Sequence, residues 1–310
     1  VDGFSKGLWP VMITPHDNEG GIDYDTLRRL IRWYENSGAS GLFANCLSSE
    51  MYELSRGERL SLSAFVAANS QVPVVSTGTF SHSIEENVQF INELHKTGVQ
   101  GIVLITSILV DSDEDEQMLL ERIDEILSKT SAILFGLYEC PQPYKRLVSP
   151  ELLAKLSEHS NRIVYLKETS CDKDIFRQKV LATNNTNLQI FNAHTPHALE
   201  TAHLGAGGLS PIGANFYPEL YAFLWKYAND AAYSDTVKSI VDFLIKNEPL
   251  ISKKYPLSSK FFLRQRGLPI SITTRRDVLN LTSEDTSRLE VLLKEYTHFA
   301  ALHGIRLATF

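Results

Sequence analysis

The chain has 310 residues, of which 43% are hydrophobic and 22% are charged, and its formal net charge at pH 7 is -7. This composition is typical of a globular protein with a large core, and the lack of any cluster of Lys and Arg argues against a nucleic-acid partner. No apolar stretch approaches the roughly 20 residues that a membrane-spanning helix requires, and the first residues carry no secretory h-region, which favours a cytoplasmic protein.

Short β-branched apolar runs alternate with segments of helical period along the chain. The runs predict eight strands, at 8–13, 41–45, 73–77, 101–105, 133–137, 162–166, 188–192 and 208–212. This alternation is typical of a parallel sheet covered by helices. Eight such units in about 230 residues favour a closed α/β fold, the (β/α)8 TIM barrel, over an open doubly wound sheet.

Signals for helix termini agree with this division. Capping boxes predict that helices begin after Ser55 and Ser83, because such side chains satisfy otherwise unpaired amide groups. At Ser149-Pro150 and Thr195-Pro196 a capping hydroxyl precedes a proline suited to the first turn. Glycines expected to end helices in a left-handed conformation are Gly38, Gly98 and Gly205.

The segment 234–302 contains no further strand candidate, and its apolar residues recur at helical spacing. We therefore expect a catalytic barrel at 1–231 and a C-terminal helical extension, packed on the barrel, at 232–310.

Lys167 follows the predicted strand 162–166, and Tyr138 follows the predicted strand 133–137. In a barrel of this kind the reacting groups lie at the C-terminal ends of the strands, where Lys167 is the only cationic side chain among the eight strand-end groups. An amine in an apolar pocket loses hydration, so its pKa falls and it becomes a nucleophile. These residues predict Schiff-base chemistry, and the alternative is an ion pair between Lys167 and Glu168.

No metal or organic cofactor is predicted, since the chain contains neither a metal-ligand spacing nor a nucleotide-binding motif. Three scattered cysteines, Cys46, Cys140 and Cys171, are interpreted as free thiols, any of which could touch the pocket. No pair of carboxylates stands out as a general acid and base, although Glu50 and Glu139 are candidates.

Several segments, in this order, resemble a known family. They are Thr14-Pro15, Ser49-Glu50, 73–78, 137–141, 165–170, 204–208 and Ala214-Asn215. Together they are similar to the motifs of the dihydrodipicolinate synthase and N-acetylneuraminate lyase family, and the resemblance covers nearly the whole chain.

The resemblance implies a class I aldolase that acts on pyruvate or another 2-oxo acid without a cofactor. Lys167 would form an imine with the C2 ketone, and Tyr138 would move protons. The substrate carboxylate would lie against the loop at Leu47 and Ser48, where backbone N–H groups and a hydroxyl can receive it. Members usually associate as homodimers or homotetramers, and the stretch 261–263 is a candidate subunit face, with an internal core as the alternative.

The chain departs from the family at three places. Leu47 and Leu109 replace a hydroxyl residue and a second tyrosine of the family's proton relay. Pro143 replaces the arginine that grips the second substrate's carboxylate in lysine-pathway synthases, so dihydrodipicolinate synthesis is not expected. His194 follows the seventh strand, where it either enters the pocket or only precedes a helix.

We therefore expect a lyase that reversibly cleaves a hydroxylated 2-oxo acid of the 2-keto-3-deoxy sugar acid type. Hydroxyl groups of such a substrate could be bound by Ser48, Ser210, Thr106 and Ser107. The alternatives are a dehydratase of the same family and a protein that binds a 2-oxo acid without turnover.

Overall fold

The computed structural model describes residues 4–276 and 280–310. Eight parallel strands form one sheet and confirm the predicted TIM barrel. They are β1 (Gly7–Leu8), β2 (Leu42–Ala44), β3 (Val74–Thr77), β4 (Gly101–Ile105), β5 (Phe135–Tyr138), β6 (Ile163–Glu168), β7 (Gln189–Asn192) and β8 (Gly208–Leu209). The strands are paired in the order β1-β8-β7-β6-β5-β4-β3-β2.

The barrel closes between its first two strands through isolated bridges, Leu8 with Ala39 and Val11 with Phe43. The predicted first strand extends to residue 13, but regular pairing ends at Leu8. Pro10 explains the difference, because proline has no amide N–H to donate to a ladder.

Twelve α-helices surround and follow the strands in the described residues. They are α1 (Tyr24–Asn36), α2 (Arg56–Asn69), α3 (Ile84–His95), α4 (Thr106–Leu109), α5 (Glu116–Ser128), α6 (Pro150–His159), α7 (Lys173–Ala182), α8 (Ala198–His203), α9 (Pro218–Tyr227), α10 (Ser234–Ser252), α11 (Leu257–Gln265) and α12 (Ser283–Leu302). None of them combines the length and the apolar character needed to cross a membrane.

Three of the four predicted capping residues cap their helices. The side chains of Ser55, Ser83 and Ser149 accept the amide N–H that a helix start leaves unpaired. Thr195 was predicted to cap as well, and this prediction is wrong. It lies inside a 3₁₀ turn, Thr195–His197, and its hydroxyl instead bonds to side chains of α9 and α10.

Large aromatic side chains fill the inside of the barrel. Tyr165 stacks on Phe191 with ring centres 4.6 Å apart and lies 5.6 Å from Trp9. Gly136 on the neighbouring strand has to be glycine, since a Cβ there would lie 2.8 Å from the Tyr165 ring. This packed layer forms a floor, because Tyr165 stands two residues before Lys167 on the same face of β6.

Helices α10 to α12 make up most of the predicted extension. Phe262 and Leu263 of α11 are fully buried, and Phe262 packs on Phe216 and Tyr296 of the same chain. The stretch 261–263 is therefore part of an internal core and not a subunit face. The boundary between residues 231 and 232 stays a prediction.

A buried ion pair connects the extension to the barrel. Arg266, which follows α11, donates to the Glu219 carboxylate of α9 at 2.8 Å. The same carboxylate accepts the Tyr296 hydroxyl of α12 at 2.6 Å and the Ala308 amide at 3.0 Å. Four segments of the chain therefore meet at Glu219. Loss of the Arg266 charge would leave the Glu219 carboxylate buried without a cation.

We therefore expect Arg266→Met to lower the free energy of unfolding by about 3–5 kcal/mol. Urea denaturation followed by circular dichroism measures this. Arg264→Met on the same helix is the matched control, because Arg264 is exposed, and it is expected to change stability by less than about 0.5 kcal/mol. Equal effects of the two substitutions would contradict this account.

Candidate active site

Tyr138 and Lys167 meet inside the C-terminal mouth of the barrel. Strands β5 and β6 pair with these two residues opposite each other. The Lys167 Nζ atom lies 4.6 Å from the centre of the Tyr138 ring. Both side chains are buried, with exposed fractions of 5% and 3%. The structure thus brings together the two residues that the sequence singled out.

Lys167 is a buried amine without a counter-ion. No carboxylate forms an ion pair with it among residues 4–276 and 280–310. Burial lowers the pKa of Lys167, because removal of water disfavours the charged form. A larger share of the amine is therefore uncharged near neutral pH than for a lysine in water, and only the uncharged amine is nucleophilic.

The alternative pairing of Lys167 with Glu168 is not present. The Glu168 side chain points to the opposite side of β6, where its carboxylate binds Lys179 of α7 at 3.0 Å. Successive side chains of a strand point to opposite faces, so an inward Lys167 requires an outward Glu168.

Lys179 forms ion pairs with two buried carboxylates. Its Nζ atom lies 2.5 Å from a carboxylate oxygen of Glu139, which follows Tyr138, and 3.0 Å from Glu168. Glu139 also accepts the amide N–H groups of Val148 and Thr169, both at 2.9 Å. Burial raises the pKa of Glu139, and the Lys179 charge opposes this. The cluster therefore fixes the backbone next to both candidate catalytic residues.

Sequence reasoning did not identify Lys179. A signal existed, since Lys179 falls three residues after Phe176 and directly before Val180, in the buried stripe of α7. A lysine in such a stripe requires a buried partner.

A second buried ion pair holds the loop after β2. Glu50 binds Lys260 of α11 at 2.6 Å, and its other oxygen accepts from the Thr274 hydroxyl at 2.7 Å and the Arg275 amide at 2.6 Å. Burial opposes ionisation, but the neighbouring His16 and the Lys260 charge hold the pKa of Glu50 well below its usual range. Glu50 and Glu139 are thus structural carboxylates, and neither is a general acid or base.

The loop at Leu47 and Ser48 presents backbone donors. The amide N–H groups of Leu47 and Ser48 have no acceptor within the described ranges, whereas the Leu47 carbonyl accepts from Arg276. The Ser48 side chain is buried. Ser49, by contrast, donates to the Met12 carbonyl at 2.6 Å and is structural. This loop can therefore receive a negatively charged group.

Ser210 and His194 lie at the ends of β8 and β7. The Ser210 hydroxyl is fully buried and donates to the Trp9 carbonyl at 2.8 Å. His194 is partly exposed, and its Nδ1 atom lies 3.2 Å from Nδ1 of His197. Burial and the neighbouring His197 lower the pKa of His194. His194 is thus the more accessible of the two to a bound molecule.

The model of the Dihydrodipicolinate synthetase family matches residues 4–296. The chain belongs to this family. It is 27% identical over 274 residues to a 4-hydroxy-tetrahydrodipicolinate synthase of Methanothrix thermoacetophila, with 87% of this chain and 86% of that protein covered. It is 24% identical to a probable 2-dehydro-3-deoxy-D-pentonate aldolase of Escherichia coli, with 94% and 96% covered.

A solved structure shows the same fold at low sequence identity. It is that of a prophage protein of the dihydrodipicolinic acid synthase family from Escherichia coli K12, in complex with pyruvate. The TM-score is 0.85 at 19% identity, with 94% of this chain and 98% of that one covered. Members of the dihydrodipicolinate synthetase family are class I lyases of the pyruvate-dependent Schiff-base type, and this protein is an enzyme of that type.

Lys145 and Arg146 follow Pro143 closely along the chain, and both are bound to backbone carbonyl groups. The Arg146 guanidinium donates to the carbonyl groups of Asp111 and Glu114, at 3.3 and 2.7 Å. Lys145 donates to the Thr169 carbonyl at 2.6 Å, next to the end of β6. Arg146 is therefore committed to the loop after β4 and does not replace the arginine absent at Pro143.

We expect Lys179→Met to lower the free energy of unfolding by about 3–5 kcal/mol, since it leaves Glu139 and Glu168 buried without a cation. Urea denaturation tests this. The matched control is Lys129→Met, which removes a surface lysine bound to Glu85 and Glu125 and is expected to leave stability close to that of the wild type. A loss no larger than that of the control would contradict the role of Lys179.

Proposed function

We propose that the enzyme reversibly cleaves a carbon–carbon bond in a hydroxylated 2-oxo acid of the 2-keto-3-deoxy sugar acid type, with Lys167 as the imine-forming residue. The observation that carries this proposal is the buried amine of Lys167, which has no carboxylate partner in the described ranges and lies 4.6 Å from the Tyr138 ring.

The uncharged Lys167 amine attacks the C2 ketone of the substrate to give a carbinolamine, which loses water to form an imine. The C4 hydroxyl then gives its proton to Tyr138 while the Tyr138 proton passes to water, and C4 leaves as an aldehyde. The electron pair of the broken C3–C4 bond moves through C2 onto the nitrogen of the protonated imine, and pyruvate remains bound as its enamine. The apolar surroundings of Lys167 favour the first step, because they keep the amine uncharged.

Tyr138 is placed to transfer protons in these steps. Burial raises the pKa of Tyr138 well above its usual value, so it is a neutral phenol at physiological pH. A neutral phenol can protonate the leaving hydroxyl of the carbinolamine and can take a proton only while it passes its own to another group.

The loop at Leu47 and Ser48 is the proposed site of the substrate carboxylate. Its two amide N–H groups lack acceptors within the described ranges, and charge-assisted bonds from such donors are stronger than neutral ones. Arg146 is bound to loop carbonyls and so does not supply a guanidinium for a second carboxylate in place of the arginine absent at Pro143. This favours a hydroxylated substrate over a dicarboxylate-forming condensation.

Polar groups at the mouth of the barrel are the proposed partners of the substrate hydroxyl groups that lie farthest from the C2 ketone. His194 after β7 is partly exposed, and we propose that it contacts this end of the substrate. Ser210 is buried and already donates to Trp9, so it can act only as an acceptor. The similarity to the pentonate aldolase of Escherichia coli supports the same substrate class. A homodimer or homotetramer stays a prediction.

Incubation with pyruvate and borohydride is expected to attach a reduced pyruvyl group to Lys167, detected by mass spectrometry of the peptide that contains it. Lys167→Met should abolish the adduct, and the surface variant Lys129→Met should retain it. Because burial lowers the pKa of Lys167, the trapping rate should rise with pH and reach half its maximum below pH 10.5, the ordinary value for lysine.

The same pKa shift affects stability. Since the pKa of Lys167 is lower in the folded than in the unfolded chain, its cost to folding is complete below the folded pKa and disappears as pH rises through that value toward the unfolded pKa. Lys167→Met should therefore raise the melting temperature at neutral pH. If incubation of the wild-type enzyme with pyruvate and borohydride left Lys167 unmodified, that result would contradict the proposed mechanism.

Substrate class is tested with a panel of 2-keto-3-deoxy sugar acids. We expect release of pyruvate, measured with a coupled dehydrogenase assay, and loss of this activity in Lys167→Met. Release of water without pyruvate, seen as a product lighter by the mass of one water molecule, would identify a dehydratase instead. Adduct formation without either product would identify a protein that binds 2-oxo acids without turnover.

A further inference from the structure

The peptide group between Leu47 and Ser48 is held from the C-terminal extension. Its carbonyl oxygen accepts a hydrogen bond from the Arg276 guanidinium, 229 residues away along the chain, and another from the Glu50 amide at 3.1 Å. A trans peptide group is planar, so its C=O and N–H groups point in opposite directions. Because the carbonyl is turned toward Arg276, the Ser48 N–H points away from the guanidinium. Arg276 therefore sets the direction of one of the two amide groups proposed to bind the substrate carboxylate.

The same turn of the chain contacts the buried residues of the site. The Leu47 side chain packs against the cluster of buried side chains to which Tyr138 belongs, and Tyr138 lies beside the Lys167 amine. The N–H groups of Leu47 and Ser48 find no acceptor elsewhere in residues 4–276 and 280–310. The turn thus contacts Arg276 through its backbone and the site through a side chain.

Two further contacts restrict Arg276. Its Nε atom lies 3.7 Å from a carboxylate oxygen of Glu53. Its amide donates to the Thr274 hydroxyl at 3.1 Å, and that hydroxyl donates to Glu50 at 2.7 Å. The Arg276 side chain is 21% exposed, so we expect its replacement to leave the fold intact.

Arg275 and Arg276 hold different parts of the chain. The Arg275 guanidinium binds the Glu58 carboxylate of α2 at 2.5 Å and the Gly20 carbonyl at 2.6 Å. Among the side-chain contacts of the described residues, the Arg276 guanidinium alone donates to the Leu47 carbonyl. An effect on the Leu47 peptide is therefore specific to Arg276.

We propose that Arg276 is a positioning residue for the substrate carboxylate and makes the enzyme select 2-oxo acids over uncharged ketones. This inference rests on the proposed function, because the carboxylate belongs to the substrate that forms the imine on Lys167. Arg276 acts in two ways. It holds the Ser48 N–H in one direction, and its positive charge attracts an anion to the loop.

The selectivity follows from the kind of hydrogen bond that each ligand makes. A carboxylate accepts charge-assisted bonds from N–H groups, and these are stronger than the bonds of a neutral carbonyl. Without the Arg276 contact, the Leu47–Ser48 peptide has to be ordered when the ligand binds, and this ordering costs affinity. The loss falls mainly on a ligand that depends on these bonds, which is the carboxylate.

Borohydride trapping on Lys167, with pyruvate and with its uncharged methyl ester, tests this role. Arg276→Met should raise the half-saturating concentration of pyruvate about 10-fold, as expected for the loss of one hydrogen bond to a charged group. The half-saturating concentration of methyl pyruvate should change by less than about twofold, and the trapping rate at saturation should equal that of the wild type. Arg276→Lys should recover part of the affinity for pyruvate, because an ammonium group can donate to the same carbonyl. Arg264→Met, which removes an exposed arginine of α11, is the matched control and should behave as the wild type with both ketones.

The two proposals fail in different ways. Equal weakening of pyruvate and methyl pyruvate in Arg276→Met would show that Arg276 only packs the loop and would overturn the inference. A half-saturating pyruvate concentration within about twofold of wild type would overturn it as well, and so would an Arg276→Lys variant that binds pyruvate no better than Arg276→Met. In each of these cases the adduct on Lys167 would leave the imine mechanism standing. Absence of any adduct in the wild-type enzyme would overturn both proposals.

Discussion

The site depends on which face of the sheet each of four charged or polar side chains occupies at the ends of β5 and β6. Tyr138 and Lys167 point into the barrel, while Glu139 and Glu168 point outward and bind Lys179. If either carboxylate faced inward, it would hold Lys167 as an ammonium ion and raise its pKa. The outer ion cluster thus leaves the inner amine without a counter-charge.

In the loop after β2, too, a buried carboxylate is compensated by a lysine. Glu50 is buried but bound to Lys260 from the C-terminal extension, so its charge is compensated behind the loop. The extension therefore does more than cover hydrophobic surface, because it anchors the segment that carries the unpaired amide groups of Leu47 and Ser48 in the described ranges. The conformation of this loop and the packing of the extension are therefore linked through this carboxylate.

Burial sets the protonation states of the two residues at the mouth of the barrel. It lowers the pKa of Lys167 and raises that of Tyr138, because loss of water disfavours the ammonium ion and the phenolate alike. The burial that favours an uncharged Lys167 therefore also keeps Tyr138 protonated.

Sequence alone predicted the barrel and the approximate positions of its eight strands, and it singled out Lys167 and Tyr138 at strand ends, because strand periodicity and strand-end chemistry are local properties. Only the tertiary structure decided the partners of Glu139 and Glu50, which lie 40 and 210 residues away along the chain. It also decided that the stretch 261–263 packs internally and that Thr195 is not a cap. A periodic pattern shows that a side chain is buried, but the charge or hydroxyl that meets it depends on how distant segments pack together.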